Sequence, residues 1–250
     1  MERINLKEQL IKQLHQDNQF NDDQDFGNIV QNFIYGDVYQ HGHLELSERE
    51  LILIAVNTTL QTPIALKTHI EAALVLNVEG KIIKEVIYHC TPYIGLAKVQ
   101  EALEAANEIF KKHQIECNTS MATVNEQTRF NQGFEVQSQA FGKDNIQANH
   151  DNAPSDLKHI QNYLSAYCFG DFYTRQGLNL KWRELITLVC IASLGGCESQ
   201  LKAHINANIT VGNDREKLIE VITQCIPYIG FPRSLNVINC INEIIKEKEV

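Results

Sequence analysis

The chain has 250 residues, a formal net charge of −9, and 44% hydrophobic against 21% charged residues. That apolar content excludes a disordered chain, and 13 Gly with 5 Pro exclude a collagen-like fibre. With 31 acidic against 22 basic residues, the composition argues against nucleic-acid binding, which needs basic surface to neutralise phosphates.

In chain order, the N-terminal stretch MERINLKEQLIKQLHQ is charged and amphipathic, and does not read as a secretory signal. Ser47-x-x-Glu50 reads as a capping box that opens a helix running to about Leu60. The apolar runs at 51–56 and 185–193 are the longest in the chain. Both fall far short of the roughly 20 residues that span a bilayer, so no membrane segment is expected. Pro92 and Gly95 close one helix and open the next. The stretch 113–155 is polar, but Phe130, Phe134, Val136 and Phe141 give 129–142 an apolar face, and a helix is expected there. Asn213 with Glu216 reads as the cap of a helix carrying Leu218, Ile219, Val221, Ile222, Cys225 and Ile226 at helical spacing. Pro227 and Gly230 follow it. No segment alternates with the period of two of a strand, so the fold class is all-α. The seven cysteines contain no C-x-x-C pair and sit among aliphatics. They read as small buried hydrophobes in a reduced cytoplasm.

The chain is built twice. EVIYHCTPYIG at 85–95 returns as EVITQCIPYIG at 220–230, identical at 8 of 11 positions, and LKTHIEA at 66–72 returns as LKAHINA at 201–207, identical at 5 of 7. Both pairs are offset by 135. Upstream the offset is 134: RELI at 49–52 returns at 183–186, and Gly36, Asp37 and Tyr39 return as Gly170, Asp171 and Tyr173. The ordered blocks define two units, each expected to hold four to six short helices. Their boundary is placed near 115–125, giving units of 1–120 and 121–250.

These blocks resemble the carboxymuconolactone decarboxylase family, whose relatives include the alkylhydroperoxidases. FGDFYTRQGLNLKWRELITL at 169–188, LKAHINANITVG at 201–212 and EVITQCIPYIGFPRSLNVI at 220–238 carry the resemblance, and RFNQGFEVQSQAFG at 129–142 resembles the helix that precedes the family's unit. The first half, over about 25–112, is a weaker match. The resemblance implies two repeated alkylhydroperoxidase-like helical units and a cofactor-free reaction; the residues themselves offer no metal site at ligand spacing. It also implies assembly: single units commonly form hexamers, so a fused pair implies a homotrimer.

His204 recurs as His69 in the same L-K-x-H-I context, and the family counterpart lies in the active-site cavity. Histidine is the natural proton carrier near neutral pH. Glu184 recurs as Glu50. The capping box accounts for Glu50, but not for Glu184, because Lys181 stands where Ser47 stood; the resemblance places Glu184 near the histidine. Arg183 and Arg49 read either as carboxylate anchors or as surface ion pairs. Cys197 follows Gly195-Gly196 and begins the helix bearing His204, where the helix dipole stabilises a thiolate. In the peroxidase branch the pattern is C-x-x-C-x-x-x-H; here Gln200 replaces the second cysteine and lies one turn from His204. The first unit has Thr62 and Pro63 in this region and no thiol. His41-x-His43 is a half-site without a ligand partner at metal spacing, and reads as a solvated loop. Three functions follow: a decarboxylase acting on a small carboxylated lactone through His204, Glu184 and Arg183; a peroxiredoxin-type hydroperoxide reductase using Cys197; and a non-catalytic oligomeric binding or redox-sensing protein.

Overall fold

The computed structural model describes residues 2–15, 20, 22–117 and 119–245, and every regular element among them is helical. In the first unit α1 (Glu2–Gln13) and α2 (Gln24–Gly36) lead, by a 3₁₀ turn at Val38–Gln40, to α3 (Leu46–Leu60). Then come α4 (Pro63–Val75), α5 (Gly80–His89), α6 (Thr91–Ile94) and α7 (Leu96–Lys112). In the second unit α8 (Arg129–Phe141) and α9 (Lys143–Asp151) precede α10 (Lys158–Tyr163), which continues as a π-helical stretch, Leu164–Tyr173. The unit ends with α11 (Leu180–Leu194), α12 (Glu198–Thr210) and α13 (Arg215–Ile244), the last kinked at Gly230.

The repeat dictates the core. RELILIAVNTT in α3 and RELITLVCIAS in α11 are buried at every position. A helix without a polar face must sit inside the fold, and these two pack against each other at its centre. One apolar cluster takes residues from both units, including Leu53, Ile54, Ile87, Val189, Ile205 and Ile222. The units therefore share a single core. No described helix is long and apolar enough to cross a membrane.

The leading helices also correspond. A Cβ on Gly133 would lie 2.0 Å from the Ser165 carbonyl oxygen, and one on Gly170 would lie 2.3 Å from that of Arg129. Only glycines let α8 and the π stretch approach so closely, and Arg129 Nε clamps the crossing on Asp171 at 2.8 Å. In the first unit Gly36 faces the backbone of Arg3, and Arg3 pairs with Asp37. α1 is thus the counterpart of α8, which the sequence comparison did not reveal.

Two helix starts differ from expectation. Glu48 Oε2 reaches back to the Glu45 N–H at 3.0 Å, so Glu45 rather than Ser47 precedes α3. This frees Glu50 from capping. Asp214 caps α13 by accepting from the Lys217 N–H at 2.8 Å. Asn213 instead donates to Lys181 O and Asn208 Oδ1. The helix at 129–142 is formed as expected.

Candidate active site

Glu184 sits in the second turn of α11, at the start of its buried run, and His204 at the middle of α12. The antiparallel packing of these helices brings His204 Nδ1 to 2.8 Å from Glu184 Oε2. A carboxylate only accepts, so Nδ1 carries a proton and Nε2 is the ring nitrogen left to exchange one with a ligand. The other oxygen, Oε1, accepts from the Tyr173 hydroxyl at 2.8 Å. Asn208 Nδ2 donates to the backbone carbonyls of Glu184 and His204, tying the two helices together beside the pair. Glu184 is fully buried, while the His204 side chain keeps 12% of its surface. Of the pair, the imidazole is the member that meets solvent.

The network continues into the other unit. The Tyr173 hydroxyl lies 2.6 Å from that of Tyr93 in α6, and the Cys168 thiol donates to Tyr93 at 3.7 Å. Thr187 Oγ1 sits 2.9 Å from Tyr173. Burial pushes the Tyr93 and Tyr173 hydroxyls well up, helped for both by the Glu184 charge, so both stay protonated. Phe141, from α8, meets His204 edge-on at 5.2 Å, and Tyr93 does so at 5.8 Å. Imidazole and carboxylate thus come from α11 and α12, the apolar wall from α8, and a hydroxyl from the opposite unit.

The first unit repeats the arrangement. His69 Nδ1 lies 2.7 Å from Glu50 Oε2, Tyr39 donates to Glu50 Oε1 at 2.7 Å, and Tyr228 stands edge-on to His69 at 5.3 Å. Tyr228 and Tyr93 are repeat equivalents, each reaching the other unit's histidine. The sites differ in access and lining. The His69 side chain is only 3% exposed. Leu53 and Ile34 replace Thr187 and Cys168 at the equivalent positions.

The family model for carboxymuconolactone decarboxylases matches residues 24–108 and again 158–243. The chain belongs to the carboxymuconolactone decarboxylase family. It is also similar to a protein named 4-carboxymuconolactone decarboxylase from Acinetobacter baylyi (strain ATCC 33305 / BD413 / ADP1). The identity is 28% over 124 residues, which is 50% of this chain and 92% of the relative. The two matched segments make it a tandem, two-unit member of the family.

Within this family member the arginines take neither expected role. Arg183 is fully buried, pairs with Glu85 of the first unit at 3.5 Å, and donates from Nη2 to the Arg175 carbonyl at 2.7 Å. Its Nη1 faces His89 Nδ1 at 3.2 Å. Burial pulls Arg183 down to about 10 and the Glu85 carboxylate opposes that shift. Arg49 is equally buried, donating to Gln224 Oε1 at 2.7 Å and to the carbonyls of Leu44 and His41. Both are inter-unit braces, neither surface pairs nor groups free to bind a substrate carboxylate.

His89 reports on that brace. Arg183 only donates, so His89 Nδ1 must accept, and Nε2–H must donate to the Arg183 carbonyl at 3.0 Å. This requires the neutral ring, and burial followed by the Arg183 charge holds its pKa well below the ordinary 6.5. The unfolded chain takes up a proton as pH falls through about 6.5, whereas the folded one does not, so stability declines below that pH by up to about 1.4 kcal/mol per unit. His89→Gln places there the residue found at the equivalent position 224. Denaturant midpoints at pH 7.5 and 5.5 should fall less for this variant than for the wild type; equal falls would mean that His89 is not buried neutral.

Cys197 precedes α12 as expected, with Gly195 and Gly196 both at positive φ before it. Its sulfur sits 3.6 Å from the Gly195 carbonyl oxygen, and no hydrogen bond joins it to His204 or Glu184 among the described residues. Gln200 is exposed and accepts from Ser199 rather than from His204. The thiol in the network is Cys168, which sequence reasoning missed; burial raises it to about 12, so it stays a thiol.

Proposed function

We propose that the chain is a decarboxylase-type lyase for a small carboxylated lactone or related acid, working by proton transfer at the second-unit site. The carrying observation is the oriented pair His204–Glu184, with the imidazole's free nitrogen at the solvent edge and three hydroxyls behind the carboxylate. The substrate class comes from the name of the Acinetobacter relative. In the reaction the C–COO⁻ bond breaks, CO₂ leaves, and the electron pair remains on the conjugated lactone. Protonated His204 delivers its Nε2 proton to carbon and is recharged from water. Glu184 stabilises the cationic ring and fixes its orientation. Tyr173 holds Glu184 Oε1 in place and is itself held by the hydroxyls of Tyr93 and Thr187. His69 and Glu50 form a second, more enclosed site with the same pair. Turnover of carboxymuconolactone, measured beside reduction of an organic hydroperoxide with a dithiol, tests the assignment; hydroperoxide turnover alone would reject it. The peroxidase reading gains no support, since no hydrogen bond joins Cys197 to the histidine among the described residues.

We also propose a homotrimer in a reducing, cytoplasmic setting; the seven cysteines are all free. Its support is an apolar surface that recurs in both units. Phe26 and Ile29 on α2 are 57% and 64% exposed, and their equivalents Ile160 and Tyr163 are 50% and 63% exposed. Leu96 and its equivalent Phe231 repeat the pattern at 69% and 57%. Two like faces on one chain suit a closed ring of copies. Light scattering should give three times the 28.5 kDa chain mass, and a monomer at micromolar concentration would reject it.

A further inference from the structure

The two inter-unit junctions are built differently. At one, Glu85 of α5 takes a bidentate pair from Arg175, with Nε and Nη2 at 3.0 and 2.6 Å, and a contact from Arg183. At the other, the equivalent carboxylate is Glu220 of α13, but His41 stands where Arg175 would be, Glu216 replaces Lys81, and His43 replaces Gly177. Arg49 remains as the counterpart of Arg183, but the cations Arg175 and Lys81 have given way to an imidazole and a second carboxylate.

Glu220 is nevertheless only 4% exposed. Oε1 accepts from the His43 backbone N–H at 2.6 Å. Among the described residues, Oε2 has no hydrogen bond and the carboxylate forms no ion pair. Arg49 feels its charge, but its Nη groups are held by Gln224 and by the His41 and Val38 carbonyls. Two carboxylates side by side, one of them nearly buried, are stabilised by a cation placed between them. Gly42, at φ +73°, lets the chain turn closely over this group, since a Cβ there would lie 2.2 Å from Oε1. The turn presents His43 to the carboxylates. Ligand atoms of His43, Glu216 and Glu220 all lie within 4.8 Å of one another.

We propose that His43, Glu216 and Glu220 bind a divalent transition-metal cation of the zinc class, which joins the two units where the other junction uses Arg175. One imidazole and two carboxylates match the donor preference of such ions, whereas magnesium prefers oxygen and retained water. His43 lies in the loop before α3, and Glu216 with Glu220 occupies successive turns of α13. The ion therefore bridges residues more than 170 positions apart, a pairing that local ligand spacing around His41 and His43 does not show.

The test uses the full, untagged chain stripped with a chelator and titrated with Zn²⁺ alone in a non-coordinating buffer. One equivalent per chain is expected, with a rise in thermal midpoint from preferential binding to the folded state. His43→Ala and Glu216→Gln both change exposed side chains and should keep the fold. Each should weaken Zn²⁺ binding by more than about 100-fold, since changes one shell further out already cost 10–100-fold. Absence of stoichiometric binding would overturn the proposal, as would wild-type affinity in either variant or Mg²⁺ binding as tightly as Zn²⁺.

Discussion

His204→Gln is expected to lower lactone decarboxylation by about 10²–10⁴-fold, the usual contribution of a positioned general acid or base. The loss should fall on kcat, because a glutamine amide fills much of the same space but cannot carry the proton. Glu184→Gln should fall in the same range, since an amide neither fixes the Nδ1–H tautomer nor stabilises the charged ring. Cys197→Ser should stay near wild type, because its sulfur bonds the Gly195 carbonyl and makes no hydrogen bond to the pair among the described residues. His69→Gln should cost far less than His204→Gln, since the His69 side chain has only 3% of its surface open to a ligand, against 12% for His204. Steady-state kinetics on the four variants check the set. An inactive Cys197→Ser beside a near-wild-type His204→Gln would transfer the chemistry to the thiol.

Much of this arrangement could be read from the repeat. The duplicated L-K-x-H-I and R-E-L-I blocks marked His204, His69, Glu184 and Glu50, and the family resemblance put Glu184 near His204. The apolar runs at 51–56 and 185–193 fall in the core helices α3 and α11. The burial of the arginines was implicit in the same runs, since RELI opens each of them. What local pattern could not give was the crossing of the units. Tyr93 lies 80 residues from Tyr173, and nothing in a period or a spacing places them together. A signal was present all the same. EVIYHCTPYIG and EVITQCIPYIG form the most strongly repeated block, and a helix end alone does not require a matched tyrosine. Cys168 was hidden for another reason. An α-helical reading of 158–173 does not anticipate the π winding that accompanies its inward position. The caps moved by one or two residues because Ser47 and Asn213 had acidic neighbours, Glu45 and Asp214, able to take the terminal N–H groups.

The arginine brace supplies the other large effect, on stability rather than turnover. Arg183→Met keeps length and apolar volume but removes the guanidinium from a fully buried position. The carbonyl of Arg175 then loses its 2.7 Å donor, Glu85 loses one of two cations, and His89 Nδ1 loses its partner. Breaking one side of a buried ionic network costs about 3–5 kcal/mol, because the groups left behind remain dehydrated and unpaired. For a chain of this length that corresponds to a fall of roughly 10 °C in thermal midpoint. Arg175→Met should cost less, since Arg175 is partly exposed and Glu85 would keep Arg183. A residue anchoring substrate behaves in the opposite way: its loss raises KM and leaves the folded state almost untouched. Urea unfolding and KM measured on the same Arg183→Met preparation separate the two roles. A stability within about 0.5 kcal/mol of wild type, with KM sharply raised, would return Arg183 to the substrate.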